Sequence, residues 1–331
     1  MNSLEHFGAR ERVRRALAML SQRCRVIVDT AALRARGLQP DDRFDLRCAN
    51  MLQFQQYVSA HQQLLLSRTE FEDSLIPPCD YFSVQGYCEV CQRLTDFRVD
   101  FQYAYAERLS DGRPRPNWRE RLVCPRCKLP NRQRALIDFF ATSIALDRNA
   151  RLYAPEKRTP FFRALRRVYR HAIGSELLRD GTPFGRQNTA GVRNEDLTRL
   201  TFSDESLHGM CVADVLEHVP QYRDALSECR RCLRKGAPIV ISVPFLLDAH
   251  DTLVRARINR NGRVEHLLPP EYHGDPLDER GVLCYYHFGW DLLETLTELG
   301  FSDPVLCFYW SAERSYLGGM QFLITARRSL R

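Results

Sequence analysis

Residues 197–245 read LTRLTFSDESLHGMCVADVLEHVPQYRDALSECRRCLRKGAPIVISVPF, and this stretch decides the fold. Two short apolar runs, MCVAD and PIVISVPF, flank a segment in which Ala225, Leu226, Cys229, Cys232 and Leu233 recur at helical spacing. Gly236 follows that helix, where a left-handed turn suits a residue without a side chain. Strand, helix and strand in succession signal an α/β sheet. The alternation continues outward. RLYA and YRHAIG precede the stretch as candidate strands, and PVLCFYW and MQFLITA follow it. FGWDLLETLTELGF reads as a core helix ending at Gly300, with Trp290 as a packing residue.

Upstream, a helix is expected from about Asn131 to Leu146, preceded by a cysteine-bearing segment. Residues 1 to about 75 read as helical, with patterns such as RVRRALAMLSQRCRVIV and MLQFQQYVSAHQQLLLS, until Pro77 and Pro78 break them. The expected organisation is therefore a helical region (1–80), a cysteine module (81–130) and an α/β domain (131–331). An insertion of that domain spans about 246–288.

The 331 residues suffice for two or more structural units, and 44% hydrophobic with 27% charged residues is ordinary for a soluble globular chain. No apolar run approaches the roughly 18 residues needed to span a bilayer. The first twenty residues lack the order of a signal peptide, so a cytoplasmic location is expected. A net charge of +7 permits a phosphate-bearing partner without demanding one, because much of the excess is arginine dispersed on helices. Twelve cysteines in such a chain argue for metal ligands and buried thiols rather than disulfides.

Four of those cysteines have ligand spacing. GYCEVCQR supplies Cys88 and Cys91, and LVCPRCKLP supplies Cys124 and Cys127. Two C-x2-C knuckles present four thiolates to a tetrahedral Zn2+, with core thiols as the alternative reading. Four cysteines leave no open position, so such a zinc is structural. Between the knuckles, Phe97, Val99, Phe101 and Tyr103 alternate on one face before the turn SDGRPRP, as in a zinc ribbon with a long β-hairpin. Cys229 and Cys232 also form a C-x2-C, but on a helix face that packs. Cys24, Cys48, Cys79, Cys211, Cys284 and Cys307 have no ligand spacing. Arg119, Arg121, Arg126, Arg132 and Arg134 lie near Trp118 around the second knuckle. They can contact nucleic acid or a phosphorylated substrate, or with Trp118 they can dock the ribbon onto the other domain; docking is the preferred reading.

Residues 197–245 resemble the second half of the cofactor domain in class I S-adenosylmethionine-dependent methyltransferases. That pattern runs from an acidic residue through L-x-x-L-x-F-x-D-x-S, a strand, D-V-L-E-H-V and a helix ending R-x-L-K-P-G-G to a strand closed by proline. Here RCLRKGAP ends the helix, with Lys235 where proline is usual and Ala237 in place of the second glycine. The four-cysteine module, the first strand ending in APE, and the segment RARINRNGRVEHLLPPEYHGDP resemble a bacterial subgroup with an N-terminal zinc module. The resemblance covers about 86–328. It implies a Rossmann-like domain with a mostly parallel seven-stranded sheet and helices on both faces, preceded by a helical segment and a small zinc ribbon.

Sheets of this kind bind ligands at the carboxyl ends of strands near the switch in strand order. Glu176, after YRHAIG and beside Ser175, is placed to accept the ribose hydroxyls, or simply to begin a helix. The resemblance puts Asp196 at the adenine amino group and Leu197 against the ring; Asp196 also suits a turn. Asp214 and Val215 fall near the sulfonium. In the first loop Ala154 and Pro155 stand where glycines are usual, and Glu156 takes the place of the acid that faces the methionine amino group.

For methyl transfer, His218 of the LEHV motif is a candidate base or a positioning residue. The insertion offers His250, Asp251, His266, Tyr272, His273, Asp275 and His287. In PPEYHGDP, His273 lies within two residues of Asp275, which makes this pair the preferred catalytic candidates. A lid without a titrating role, histidines bonded to backbone, and a second metal are the alternatives. The function implied is methyl transfer from S-adenosylmethionine to an oxygen or nitrogen of a small molecule or glycan-type intermediate. The alternatives are an RNA methyltransferase gripping RNA through the ribbon, and a non-catalytic protein with a degenerate fold.

Overall fold

The computed structural model describes residues 24–104, 106, 108–274 and 280–331. The chain forms two compact units, each drawn from separated segments. The first takes Met1–Asp45 (its described part), Ala60–Asp138 and Tyr309–Gln321; the second takes Leu46–Ser59, Phe139–Phe308 and Phe322–Arg331.

The region expected to be helical holds two strands among its described residues, β1 (Cys24–Val26) and β2 (Asp41–Cys48). In β2 the buried Phe44 and Cys48 alternate with more exposed neighbours, a strand pattern that the charged DDR start conceals. Helices do form at Thr30–Ala35, Met51–Ala60 and Gln62–Ser74. Asp29 caps the first by accepting from the Ala31 and Ala32 amides.

In the first unit β1 runs parallel to β3 (Tyr81–Cys88), which pairs antiparallel with β4 (Arg93–Asp100). The first knuckle is the turn of this hairpin, so the hairpin precedes the second knuckle and does not fill the interval between them. Phe97 and Val99 are buried as expected. The alternating face stops there, because the pairing ends at Tyr81↔Asp100 and Tyr103 takes φ +56° with its ring exposed. The register Cys24↔Phe82 also brings Cys24 close to Cys79, and the two form a disulfide. This corrects the expectation of thiols only: the pairing spans 55 residues and rests on a parallel strand contact with no local signature.

Among the described residues the main sheet has eight strands and is mixed, where seven mostly parallel strands were expected. Its order is β2-β16-β17-β9-β8-β5-β6-β7, with β5 (Leu152–Ala154), β6 (Ile173–Glu176), β7 (Arg193–Asn194), β8 (Gly209–Ala213) and β9 (Pro238–Ser242). These five are parallel. The last two are β16 (Phe301–Ser311) and β17 (Tyr316–Arg328), and β17 is antiparallel to β9. The extra strand is β2, supplied from the N-terminal region. Every residue of β8 and β9 is buried, as parallel strands covered on both faces require. Between β9 and β16 the described residues make six short strands. They are β10 (Leu253–Val254), β11 (Ala256–Ile258), β12 (Val264–His266), β13 (Tyr272–His273), β14 (Val282–Leu283) and β15 (Tyr286–His287). They pair as β10–β15, β11–β12 and β13–β14. No helix among the described residues is long and apolar enough to cross a membrane.

Candidate active site

From β5 the chain steps to β6 and β7 on one side, then returns to β8 and β9 on the other. The reversal lies between β5 and β8, and their carboxyl ends open the crevice where such sheets bind ligands. Ala154, Glu176, Asp196 and Asp214 stand at or just after the ends of β5, β6, β7 and β8.

The loop after β5 is built without glycine of its own. Pro155 and Glu156 leave the strand, and Thr159 then caps the helix Pro160–Val168 by accepting from the Phe162 amide at 3.1 Å. Thr159 Oγ1 donates to Glu156 Oε2. Glu176 Oε1 accepts from the Lys157 and Arg158 amides, each at 2.9 Å. The carboxylate of β6 therefore clamps the loop of β5. The missing glycine is found one strand away. A Cβ on Gly174 would lie 2.6 Å from the Glu156 carbonyl oxygen and 2.6 Å from the Phe162 ring. Gly174→Ala should therefore push the loop outward and lower stability by about 1–3 kcal/mol, read as a reduced melting temperature.

The other predicted residues are placed unevenly. Ser175 is buried and its hydroxyl is bonded to Tyr153 at 2.7 Å, so it faces the core. Burial raises the Tyr153 phenol far above its ordinary value. Asp196 Oδ1 accepts from the Thr198 amide and hydroxyl at 3.0 and 2.7 Å, which fixes the turn after β7. Leu197 beside it is buried. Asp214 adopts φ +52°, with Oδ1 accepting from Ser242 Oγ at 3.2 Å, and half-buried Val215 follows. Asp275 lies outside the described residues.

A second constellation adjoins this edge. Directly after Val215, a short 3-10 turn (Leu216–His218) carries Glu217 and His218. The insertion is held against it by backbone: the Tyr285 amide donates to the Glu217 carbonyl at 2.8 Å. Tyr286 Oη donates to the Pro220 carbonyl at 2.6 Å. His273 thereby meets His218 edge to face, with ring centroids 4.9 Å apart. His273 Nε2 lies 3.0 Å from Glu271 Oε1, and His287 Nε2 lies 3.1 Å from the same oxygen. The Cys284 thiol, then Glu217 and Glu271, hold the His273 imidazole up at about 10. Burial would raise Cys284, but His273 and His287 bring that thiol below its ordinary value.

Sequence reasoning singled out His218 and His273 and passed over Glu217, Glu271 and Cys284, which the fold gathers beside them. Glu271 and His273, two apart in an extended segment and so on one face, were the available signal. His250 is elsewhere, exposed between Asp251 and Glu294.

In the first unit the Sγ atoms of Cys88, Cys91, Cys124 and Cys127 all lie within 4.8 Å of one another. Hydrogen bonds from Cys127 and Cys88, and then backbone amides, draw the Cys124 thiol well below its ordinary value despite burial. The nearby arginines are mostly engaged: Arg132 with Glu120 at 2.6 Å, Arg119 with Glu120 at 3.4 Å, Arg121 with Asp100, and Arg134 fully buried. Arg126 is exposed. Cys229 and Cys232 are buried on their helix face, as expected of packing thiols.

Residues 159–241 match the family described as a methyltransferase domain. Among curated proteins no significant match is found. Solved structures with a similar trace include an S-adenosylmethionine-dependent methyltransferase from Mesorhizobium loti, at 16% identity and TM-score 0.36, covering 58% of this chain and 98% of that one. Another is the 1,6-didemethyltoxoflavin-N1-methyltransferase of Burkholderia thailandensis, at 15% identity and TM-score 0.35, covering 60% and 78%. A third is a methyltransferase from Methanosarcina mazei, at 15% identity and TM-score 0.34, covering 57% and 97%. The matched segment runs from the cap of the helix after β5 into β9, through the strand-end acids at the reversal of the sheet. Within this chain, residues 159–241 are thus similar to a methyltransferase domain, and they include the strand-end acids of β6, β7 and β8.

Proposed function

We propose that this protein transfers a methyl group from S-adenosylmethionine to an oxygen or nitrogen of a small molecule or glycan-type intermediate. The observation that supports this best is the clamp of Glu176 on the glycine-free loop, at the reversal point of a matched methyltransferase domain. A loop held by two amide bonds to one carboxylate is a built structure, which speaks for an alternative form of the cofactor cradle and against decay. The cofactor would supply an electrophilic methyl on sulfur. Glu176 has a second oxygen for the ribose hydroxyls, Glu156 sits at the methionine end, Asp196 and Leu197 at the adenine end, and Asp214 and Val215 at the reacting centre. Ala154 and Pro155 let the backbone approach closely, because neither needs room for a long side chain and proline has no amide hydrogen to satisfy. His218 and His273 stand on the acceptor side.

The test is calorimetric titration of the folded protein with S-adenosylmethionine. A dissociation constant in the micromolar range or tighter is expected, and Glu176→Ala should weaken it at least about tenfold, because ribose contact and loop clamp go together. No measurable binding by folded protein excludes the methyltransferase reading and leaves the non-catalytic one. The paired or buried state of Arg119, Arg121, Arg132 and Arg134 gives RNA gripping by the ribbon no support.

For the four cysteines we propose structural zinc. Sγ separations of 4.0 Å (Cys88–Cys127) and 3.9 Å (Cys91–Cys124) fit a tetrahedron of ~2.3 Å bonds, whose edges are about 3.8 Å.

A further inference from the structure

Glu217 is fully buried, yet neither carboxylate oxygen has a hydrogen-bond partner among the described residues. An ionised carboxylate in that position is strongly disfavoured unless positive charge lies against it. Two imidazole nitrogens converge on it: His218 Nε2 and His273 Nδ1 each lie 3.7 Å from Glu217 Oε1. The three donor atoms all fall within 4.8 Å of one another. Donors on a sphere of ~2.0–2.2 Å around a tetrahedral ion stand about 3.4 Å apart, so a small contraction would close the set.

Both rings are also fixed from behind. His218 Nδ1 lies 2.8 Å from the Leu283 carbonyl oxygen; a carbonyl only accepts, so Nδ1 carries hydrogen and Nε2 faces Glu217 with its lone pair. His273 Nε2 donates to Glu271, which leaves Nδ1 for the inner side. Metal-ligating histidines are held in this way, the far nitrogen on a carbonyl or a carboxylate. Glu271 itself is engaged: one oxygen accepts from His273 and His287, and Arg255 lies 3.2 Å from the other. It orients and does not ligate.

We propose that Glu217, His218 and His273 form a metal site for a divalent transition ion such as Zn2+, distinct from the four-cysteine cluster. Two imidazoles and one carboxylate suit zinc and its first-row neighbours, and three protein ligands leave a position open. The site follows Asp214 and Val215 at the carboxyl end of β8, beside the crevice. Resting on the methyltransferase reading above, the open position takes an oxygen of the methyl acceptor. The ion would lower the pKa of a bound hydroxyl, whose proton passes to solvent; its oxygen would then bond to the methyl carbon as the carbon–sulfur bond of the cofactor breaks and the neutral thioether leaves. The acceptor class narrows accordingly to a hydroxyl-bearing molecule.

Protein purified with its thiolate cluster filled is titrated with cobalt(II) alone, followed by visible absorption and calorimetry. One further cobalt per chain is expected, with ligand-field bands and no thiolate-to-cobalt charge transfer. Glu217→Gln, which preserves shape, and the double variant His218→Ala/His273→Ala should each weaken it at least about 100-fold, and Glu271→Gln about tenfold. If the double variant does not fold, Glu217→Gln decides alone. Absence of the further cobalt in the unsubstituted protein, or unchanged affinity in Glu217→Gln, overturns the site. S-adenosylmethionine titrated into the same samples separates the two ideas. Cofactor binding without the further cobalt rejects this site and leaves the methyltransferase reading standing; the further cobalt without cofactor binding does the reverse.

Discussion

On the proposed structural zinc, Cys124→Ser is expected to abolish zinc binding by the four-cysteine cluster and to unfold the unit around it, lowering the melting temperature by more than about 10 °C. The four sulfurs sit at the turns of two knuckles. The Cys91 amide donates to the Cys88 carbonyl at 3.1 Å, and the Lys128 amide donates to the Cys124 carbonyl at 3.0 Å. Gln92 and Lys128 take positive φ values of 52° and 66°, conformations that non-glycine residues adopt only where something else holds the turn. Structural zinc in small knuckles contributes an apparent 10–16 kcal/mol or so, against a whole-domain stability of about 5–15 kcal/mol. A site reduced to three thiolates loses much of that margin. The loss should therefore appear in folding and not in turnover alone. Cobalt substitution gives the direct reading: strong thiolate-to-cobalt charge transfer in the parent, none in Cys124→Ser. A variant that melts with the parent while lacking that band would falsify the structural role.

Much of this architecture was legible because the sequence states it locally. MCVA and PIVI are unbroken apolar runs, the pattern of parallel strands buried on both faces, and they form β8 and β9. The helix between them shows its buried face in Ala225, Leu226, Cys229 and Cys232, all buried. What escaped was set by long-range pairing. DDRFDLRC gives no sign that it joins the sheet beside β16, because its place depends on a hairpin more than 250 residues later. The Cys24–Cys79 bond depends in the same way on β1 lying along β3. The carboxyl-terminal edge of the sheet was half legible. Glu176 was singled out for the ribose, but its clamp on the Lys157 and Arg158 amides follows from β5 and β6 being neighbours. The cluster after β8 was the least legible, since Glu217, Glu271, Cys284 and His287 come together only when the insertion folds back on the turn after β8.

Arg134→Ala should lower stability by about 3–5 kcal/mol, measured as the shift in the denaturant midpoint of zinc-loaded protein. The guanidinium is fully buried and donates to the Arg314 carbonyl at 2.9 Å and the Ser315 carbonyl at 2.7 Å. It also lies 4.0 Å from the Phe97 ring centroid and 5.0 Å from that of Tyr316. Truncation leaves two carbonyls unmatched, removes both cation–π contacts and opens a cavity, and these effects act in the same direction. There is a further electrostatic consequence. Hydrogen bonds from Cys124 and Cys127, with burial, raise the Cys88 thiol, while the charge of Arg134 pulls it toward thiolate. Zinc held by four thiolates carries a net charge of about −2, and a buried guanidinium offsets part of it. Zinc release to a chelator should accordingly be faster in Arg134→Ala than in a surface control such as Arg126→Ala. Arg134→Lys should fall between parent and alanine in both measurements, because an ammonium keeps the charge but cannot fork to two carbonyls while lying flat on two rings. A nucleic-acid role predicts the opposite pattern: unchanged midpoint, unchanged zinc release, and salt-sensitive RNA binding lost with the arginine. The Arg134 side chain is fully buried, with Nη1 and Nη2 on the carbonyls of Arg314 and Ser315, so it presents no surface to such a partner.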